Sequence, residues 1–223
     1  DDAGQADPAV ARYANELASW AFNRRGQLKA EAGQDQPAIA DFDAAVQADG
    51  KRWRAVHNRG VLLAQNGQFE KAFDDFTRTI QTNPTFAKAY SNRGALFVVA
   101  GNVKSAIQDY KQAIELDPDI AVAYRGLGRA CHLDGKLDEA LTHYNNAVRL
   151  SPNDSYAIAS LADVLTDLGR YEEAIVEYDR AIKADPNSSH ANSGSAWLLA
   201  TCPDDAIRNP NLALERAQAA IKL

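Results

Sequence analysis

The chain has 223 residues, of which 46% are apolar and 24% charged, and carries a net charge of -6, enough to bury a core without help from disulfides or a metal. The acidic balance argues against a generic nucleic-acid binder. The longest clean apolar run, Ala95 to Ala100, falls far short of the roughly 20 residues that a membrane span needs. Two cysteines, Cys131 and Cys202, are too few to mark a redox compartment. The first residue is Asp1 rather than methionine, so a cleaved export signal stays open, with a lean toward an exported or cell-envelope-associated bacterial protein.

Residues 1–18 form the first segment. Asp7-Pro8 is a helix start, with Asp as the cap and Pro in the first turn. Val10, Tyr13, Leu17 and Trp20 recur after it at helical spacing. This predicts one long helix from about Pro8 to Ala32, or a short capping helix and a break, with the N-terminal half covering the next part of the chain as a lid.

From residue 19 the sequence repeats. A shift of 34 aligns Gly33, Gly67, Gly101, Gly135 and Gly169; Gly26, Gly60, Gly94, Gly128 and Ala162; Ala38, Ala72, Ala106, Ala140 and Ala174; and Phe42, Phe76, Tyr110, Tyr144 and Tyr178. Five gapless units result, 19–52, 53–86, 87–120, 121–154 and 155–188. Apolar residues such as Ala106, Ile107, Tyr110, Ala113 and Ile114 fall at helical spacing, so each unit reads as two helices. Asn66-Gly67 therefore closes a helix through a left-handed glycine, although an Asn-Gly pair ordinarily signals a β-hairpin. Second helices stop before Asn83-Pro84, Asp117-Pro118, Ser151-Pro152 and Asp185-Pro186, and before Asp49-Gly50 in the first unit. Small residues such as Gly60 and Ala72 let the paired helices approach, and Phe76 fills the gap toward the next unit. Such a pair cannot bury its apolar stripe alone, so the fold is an all-α solenoid of antiparallel helix pairs.

Asn92-Arg93-Gly94, Gly101, Ala106, Tyr110, Ala113 and Pro118 at period 34 resemble the tetratricopeptide repeat (TPR) family, of bacterial type, over five units and 170 of 223 residues. The resemblance implies a right-handed superhelix. Arg25, Arg59 and Arg93 depart from it, standing where the family commonly has leucine. Residues 189–223 read as a degenerate sixth unit: His190 to Thr201 form a first helix, Cys202 to Pro210 replace the tight turn, and Asn211 to Leu223 form a second helix.

No catalytic constellation is legible, and no cofactor is expected. His57, His132, His143 and His190 are scattered without metal-ligand spacing, so no metal site is expected. Adjacent helical residues such as Cys131 and His132 point about 100° apart, and Cys131 reads as a buried small apolar residue. Asp74-Asp75 and Glu172-Glu173 read as solvated outer faces. The resemblance places the binding surface on the first helices, where the groove-facing residues would be Asn23, Gln27, Arg54, His57, Asn58, Lys88, Ser91, Asn92, Arg125, Arg129, His132, Asp163 and Asp167. This predicts a basic centre in which Arg125 and Arg129 grip a carboxylate together, or else pair with acids on the neighbouring second helix. The family's carboxylate clamp for chaperone tails is not reproduced: Asn58 and Lys88 match, whereas Asn23, Gln27 and Asn92 do not. Trp20 and Trp197 read as end caps before partner anchors. The expectation is a non-enzymatic scaffold that binds an acidic protein or peptide segment in its concave groove, without nucleic acid or membrane insertion. The alternative is a structural protein that assembles with itself through its ends or its groove.

Overall fold

The computed structural model describes residues 7–221, which are helical throughout apart from short turns. The helices are α1 (Pro8–Glu31), α2 (Asp35–Ala48), α3 (Trp53–Gln65), α4 (Phe69–Thr82), α5 (Ala87–Val99) and α6 (Val103–Leu116). They continue with α7 (Ala121–Leu133), α8 (Leu137–Leu150), α9 (Ser155–Asp167), α10 (Tyr171–Ala184), α11 (Ser189–Thr201) and α12 (Pro210–Ile221). No helix among the described residues is long and apolar enough to cross a membrane. The chain divides into two compact units, residues 1–96 and 97–223.

In the first unit α1 packs antiparallel to α2 and α3 to α4. The aligned glycines make the tight turns. Gly33 and Gly67 have φ of 70° and 73°, a region that costs other residues roughly 1–2 kcal/mol. Gly67 N–H bonds to Ala64 C=O at 3.1 Å and Gln68 N–H to Leu63 C=O at 2.9 Å, the paired bonds that satisfy carbonyls at a helix end. Gly26 and Gly60 serve packing instead: a Cβ would meet the Phe42 ring at 2.7 Å and the Phe76 ring at 2.9 Å. Phe76 thus lies over the glycine of its own helix pair, and it clusters with Leu63, Ala72 and Leu96.

The helix α1 is continuous, and Asp7 Oδ1 accepts from Ala9 N–H at 2.8 Å as its cap. Val10, Tyr13, Leu17 and Trp20 are exposed, while the flank carrying Ala11, Arg12, Asn15 and Glu16 borders the turn at Ala48–Lys51. The segment 1–6 of the predicted first region lies outside the described residues.

The arginines that replace leucine have a structural role. Arg25 Nε and Nη2 donate to the Asp41 carboxylate at 2.7 and 2.6 Å, with Lys29 Nζ 2.8 Å from the same group. Arg59 repeats this with Asp75 at 2.8 and 2.6 Å and adds Asp43 at 2.7 Å. Each arginine reaches across its own helix pair to an aspartate 16 positions on, one residue before the ring that fills the core. Asp41 and Asp75 are buried. The expected solvated face therefore holds for Asp74 but not for Asp75: its carboxylate is drawn inward because a fork-shaped guanidinium is there to pair with it.

In the second unit α7 pairs with α8, α9 with α10 and α11 with α12. Gly135 and Gly169 take φ of 75° and 73°. A Cβ on Gly128 would meet the Tyr144 ring at 3.0 Å, and Gly126 and Gly194 lie against Tyr110 and Tyr178. In the last two cases the aromatic of a second helix is received by a glycine on the following first helix. Where the first three repeats have arginine, Leu127 and Leu161 are buried. The aspartate position is then taken by His143 and Glu177. The chain from Cys202 to Asn209 loops before α12, and Asn209 N–H bonds back to Leu199 C=O at 2.9 Å. Lys222 and Leu223, the end of the predicted last helix, lie outside the described residues.

Candidate functional site

On the first-helix face of the first unit, three of the expected site residues converge. Asn23 and Gln27 from α1 and Arg54 from α3 line a recess of about 430 Å³ with Trp20, Trp53 and the turn Asp49–Arg52. The α1 residues share one stripe because they sit at spacings of three and four. Trp20 is 56% exposed, so it presents an indole to the recess rather than sealing an end. Arg54 is exposed and its guanidinium lies 4.4 Å from the Trp53 ring centroid. Trp53 in turn packs on Phe86 at 4.5 Å, which fixes the platform under the cation. Arg52 is matched to Asp49 at 3.4 Å. Arg54 and Lys51 have no carboxylate partner among the described residues, so the recess carries uncompensated positive charge.

The other expected residues of this face are partly committed to holding neighbouring first helices together. Asn58 Nδ2 donates to Asn23 Oδ1 at 3.0 Å, and Asn92 Nδ2 lies 3.1 Å from His57 Nε2. Both pairs span 35 positions, one repeat plus one residue. His57 is buried at 8% exposure, with its ring edge-on to Phe86 at 4.9 Å. Burial is the main cause that pushes its pKa down to about 4; Lys88 adds to the fall and Asn58 opposes it. His57 is thus a neutral wall residue, not a groove contact. Ser91 is likewise buried. Lys88 is exposed and without an ion-pair partner among the described residues. At the position that matches the clamp motif, one of the two Asn58 amide N–H groups is thus committed to Asn23.

In the second unit Arg125 and Arg129, expected to act together, are held differently. Arg125 Nη1 donates to Asp154 Oδ2 at 2.7 Å and lies 5.4 Å from the Tyr156 ring. Its partner is not a second-helix acid but the N-cap of α9, whose other oxygen accepts from Ala157 N–H at 3.1 Å. Arg129 is exposed and has no ion-pair partner among the described residues.

His132, Asp163 and Asp167 are brought together in a second recess of about 450 Å³ with Tyr178, His190, Gly194 and Trp197. His132 Nε2 lies 2.6 Å from Asp167 Oδ2. The Tyr178 hydroxyl donates to Asp163 Oδ1 at 2.6 Å, and His190 Nε2 lies 2.7 Å from Asp163 Oδ2. Burial first, and then the Asp163 charge, push the Tyr178 pKa well above the ordinary phenol value, so the hydroxyl stays a donor. Trp197 stands 69% exposed at the rim. Tyr178 and His190 are the residues sequence reasoning missed here. The signal was Gly194, whose missing side chain opens the space into which Tyr178 reaches.

The comparisons match this architecture. One tetratricopeptide-repeat family model covers residues 23–85 and 92–155, and another covers 132–198. No curated protein gives a significant match. Similar solved structures include pilF from Pseudomonas aeruginosa, with 16% identity and a TM-score of 0.78 over 91% of this chain and 90% of that one. A thermophilic TPR protein from Thermus thermophilus, TTC0263, has 18% identity and a TM-score of 0.65, over 91% and 98% of the two chains. YrrB, a TPR protein with an unusual peptide-binding site, has 20% identity and a TM-score of 0.62 over 82% and 94%. At these identities the likeness concerns the fold. The repeating glycines, the helix pairs and the family models together place the chain in the tetratricopeptide repeat family.

Proposed function

We propose that the protein is a scaffold that binds an acidic protein or peptide segment on its first-helix face, with the recess of Trp20, Asn23, Gln27 and Arg54 as the principal contact. The family fold implies protein or peptide partners, and YrrB is a relative in fold with a peptide-binding site. The observation that carries the acidic reading is the unmatched positive charge of Arg54 beside an exposed indole. A carboxylate on Arg54 forms charge-assisted hydrogen bonds, while an apolar side chain lies on Trp20; an Arg and a Trp in one depression are the residue types that dominate interface energetics. Lys88 extends the positive character along α5. The test is an immobilised array of short peptides graded in charge and apolar content. The wild-type protein should retain acidic peptides that carry an apolar residue, and Arg54→Glu should lose them. Equal retention of acidic and basic peptides would refute the reading.

Self-assembly is supported by a separate observation. Val10, Tyr13 and Leu17 form an exposed apolar stripe on α1, and Leu214 and Ile221 do so on α12; exposed patches of this kind mark interaction surfaces. Light scattering across a wide concentration range tests it. A mass that rises with concentration and falls to the monomer in Leu17→Glu supports association through α1, and a constant monomer mass eliminates it.

A further inference from the structure

The turn at Gly135 folds α8 back along α7, and it brings Cys131, from the last turn of α7, beside Glu139 and His143, one turn apart on α8. A ligand atom from each of the three lies within 4.8 Å of the other two. We propose that Cys131, Glu139 and His143 form a binding site for a thiophilic divalent metal ion of the zinc class.

Zinc bonds of about 2.0–2.3 Å put neighbouring ligand atoms roughly 3.5 Å apart, so rotamer adjustments of about 1 Å close the site. Two features separate this group from a chance cluster. Cys131 is fully buried, and its Sγ has no hydrogen-bond partner among the described residues. His143 Nδ1 is also buried and has no hydrogen-bond partner, an arrangement that native interiors avoid unless something else satisfies the nitrogen. Thiolate with imidazole and one carboxylate selects zinc-like ions over magnesium or calcium, which take oxygen sets. Glu139 is exposed, so an ion can reach the group from solvent. As the sulfur–metal bond forms, the Cys131 thiol proton leaves to solvent. Two cations face the group. Lys136 is held by Asp134 at 2.7 Å, and Lys111 is exposed on α6 with a flexible stem that can swing away. Motif spacing misses the site because the thiol and the Glu-x-x-x-His pair come from different helices.

Cobalt(II) serves as the spectroscopic probe and zinc as its competitor. Adding Co²⁺ to the full chain should give a thiolate-to-cobalt charge-transfer band with tetrahedral d–d bands, and Zn²⁺ should displace both. Zn²⁺ should also raise the melting temperature, since an ion that binds only the folded state stabilises it. Cys131→Ser should lose the charge-transfer band, and Cys202→Ser should keep it. If Cys131→Ser does not fold, Glu139→Gln and His143→Ala carry the same reading, because both side chains reach the surface; each should weaken the band and abolish the zinc-induced melting shift. No band, a band that persists in Cys131→Ser, or a zinc shift unchanged in His143→Ala overturns the proposal.

Discussion

Arg59→Leu installs the residue that Leu127 and Leu161 already provide in the fourth and fifth repeats, and it should nevertheless destabilise the second. The Arg59 side chain is 20% exposed and that of Asp75 only 5%. The substitution removes two bonds to Asp75 and one to Asp43. Asp43 is half exposed and loses little, because water replaces the guanidinium. Asp75 stays buried without a partner, a state that costs about 3–5 kcal/mol when a buried pair is broken. Burial of the new leucine returns about 1–2 kcal/mol, so the net loss is about 1–4 kcal/mol. Arg59→Leu combined with Asp75→Ala removes the orphaned charge and should recover most of that loss, the non-additivity expected of residues in direct contact. Urea unfolding followed by circular dichroism gives the overall change, and amide exchange in α3 and α4 localises it, since repeat arrays open segment by segment. If Arg59→Leu falls within about 0.5 kcal/mol of wild type, the range expected of neutral surface changes, or if the double variant is no more stable than the single one, the reasoning fails.

Three further outcomes concern Gly67, Gly60 and His57. Gly67→Ala places a Cβ that meets nothing within 4 Å at a φ of 73°, so it should cost about 1–2 kcal/mol through the backbone alone, and Gly67→Asn should cost less. Gly60→Ala puts its Cβ 2.9 Å from Phe76 and should cost about 1–3 kcal/mol through overpacking, with Gly60→Asn worse still; thermal melts that reverse either order contradict these roles. His57, with its folded pKa lowered to about 4, stays neutral while the unfolded chain takes up a proton below about pH 6.5. Its stabilising contribution is therefore complete above about pH 6.5 and falls as pH drops through 4, by about 3 kcal/mol in all. An NMR titration that finds the folded His57 midpoint near 6.5 refutes this.

The repeat made much of the fold readable, because glycine at a left-handed turn and glycine under a ring are constraints imposed by single residues. Gly67 and Gly60 show the two cases, and both stand in register with their counterparts every 34 positions. The site was harder to read, since exposure on a first helix depends on what the next helix supplies. His57 and Ser91 occupy groove positions by register, yet both are buried; Asn92 takes up the His57 nitrogen. Arg125 has the right charge and less freedom, because the cap of the following first helix, α9, already holds it. The Arg25–Asp41 and Arg59–Asp75 spacing of 16 was present in the sequence. Composition treats such charges as solvated, and only the paired geometry shows that the aspartates are drawn inward, Asp41 to an arginine that itself stays exposed and Asp75 to one that is partly buried. Val10, Tyr13 and Leu17 likewise have helical spacing yet are exposed, because periodicity does not say whether a surface lies opposite.

Whether an acidic segment seats on the Trp20–Arg54 recess is decided by following the three tryptophan indole NMR signals while a short peptide of alternating glutamate and leucine is added. The Trp20 indole signal should shift, raising the salt concentration should weaken the shift, and Arg54→Glu should abolish it. A lysine–leucine peptide should leave the signal in place. A Trp20 signal that is unmoved by the acidic peptide, or moved equally by the basic one, would contradict acidic recognition at this recess.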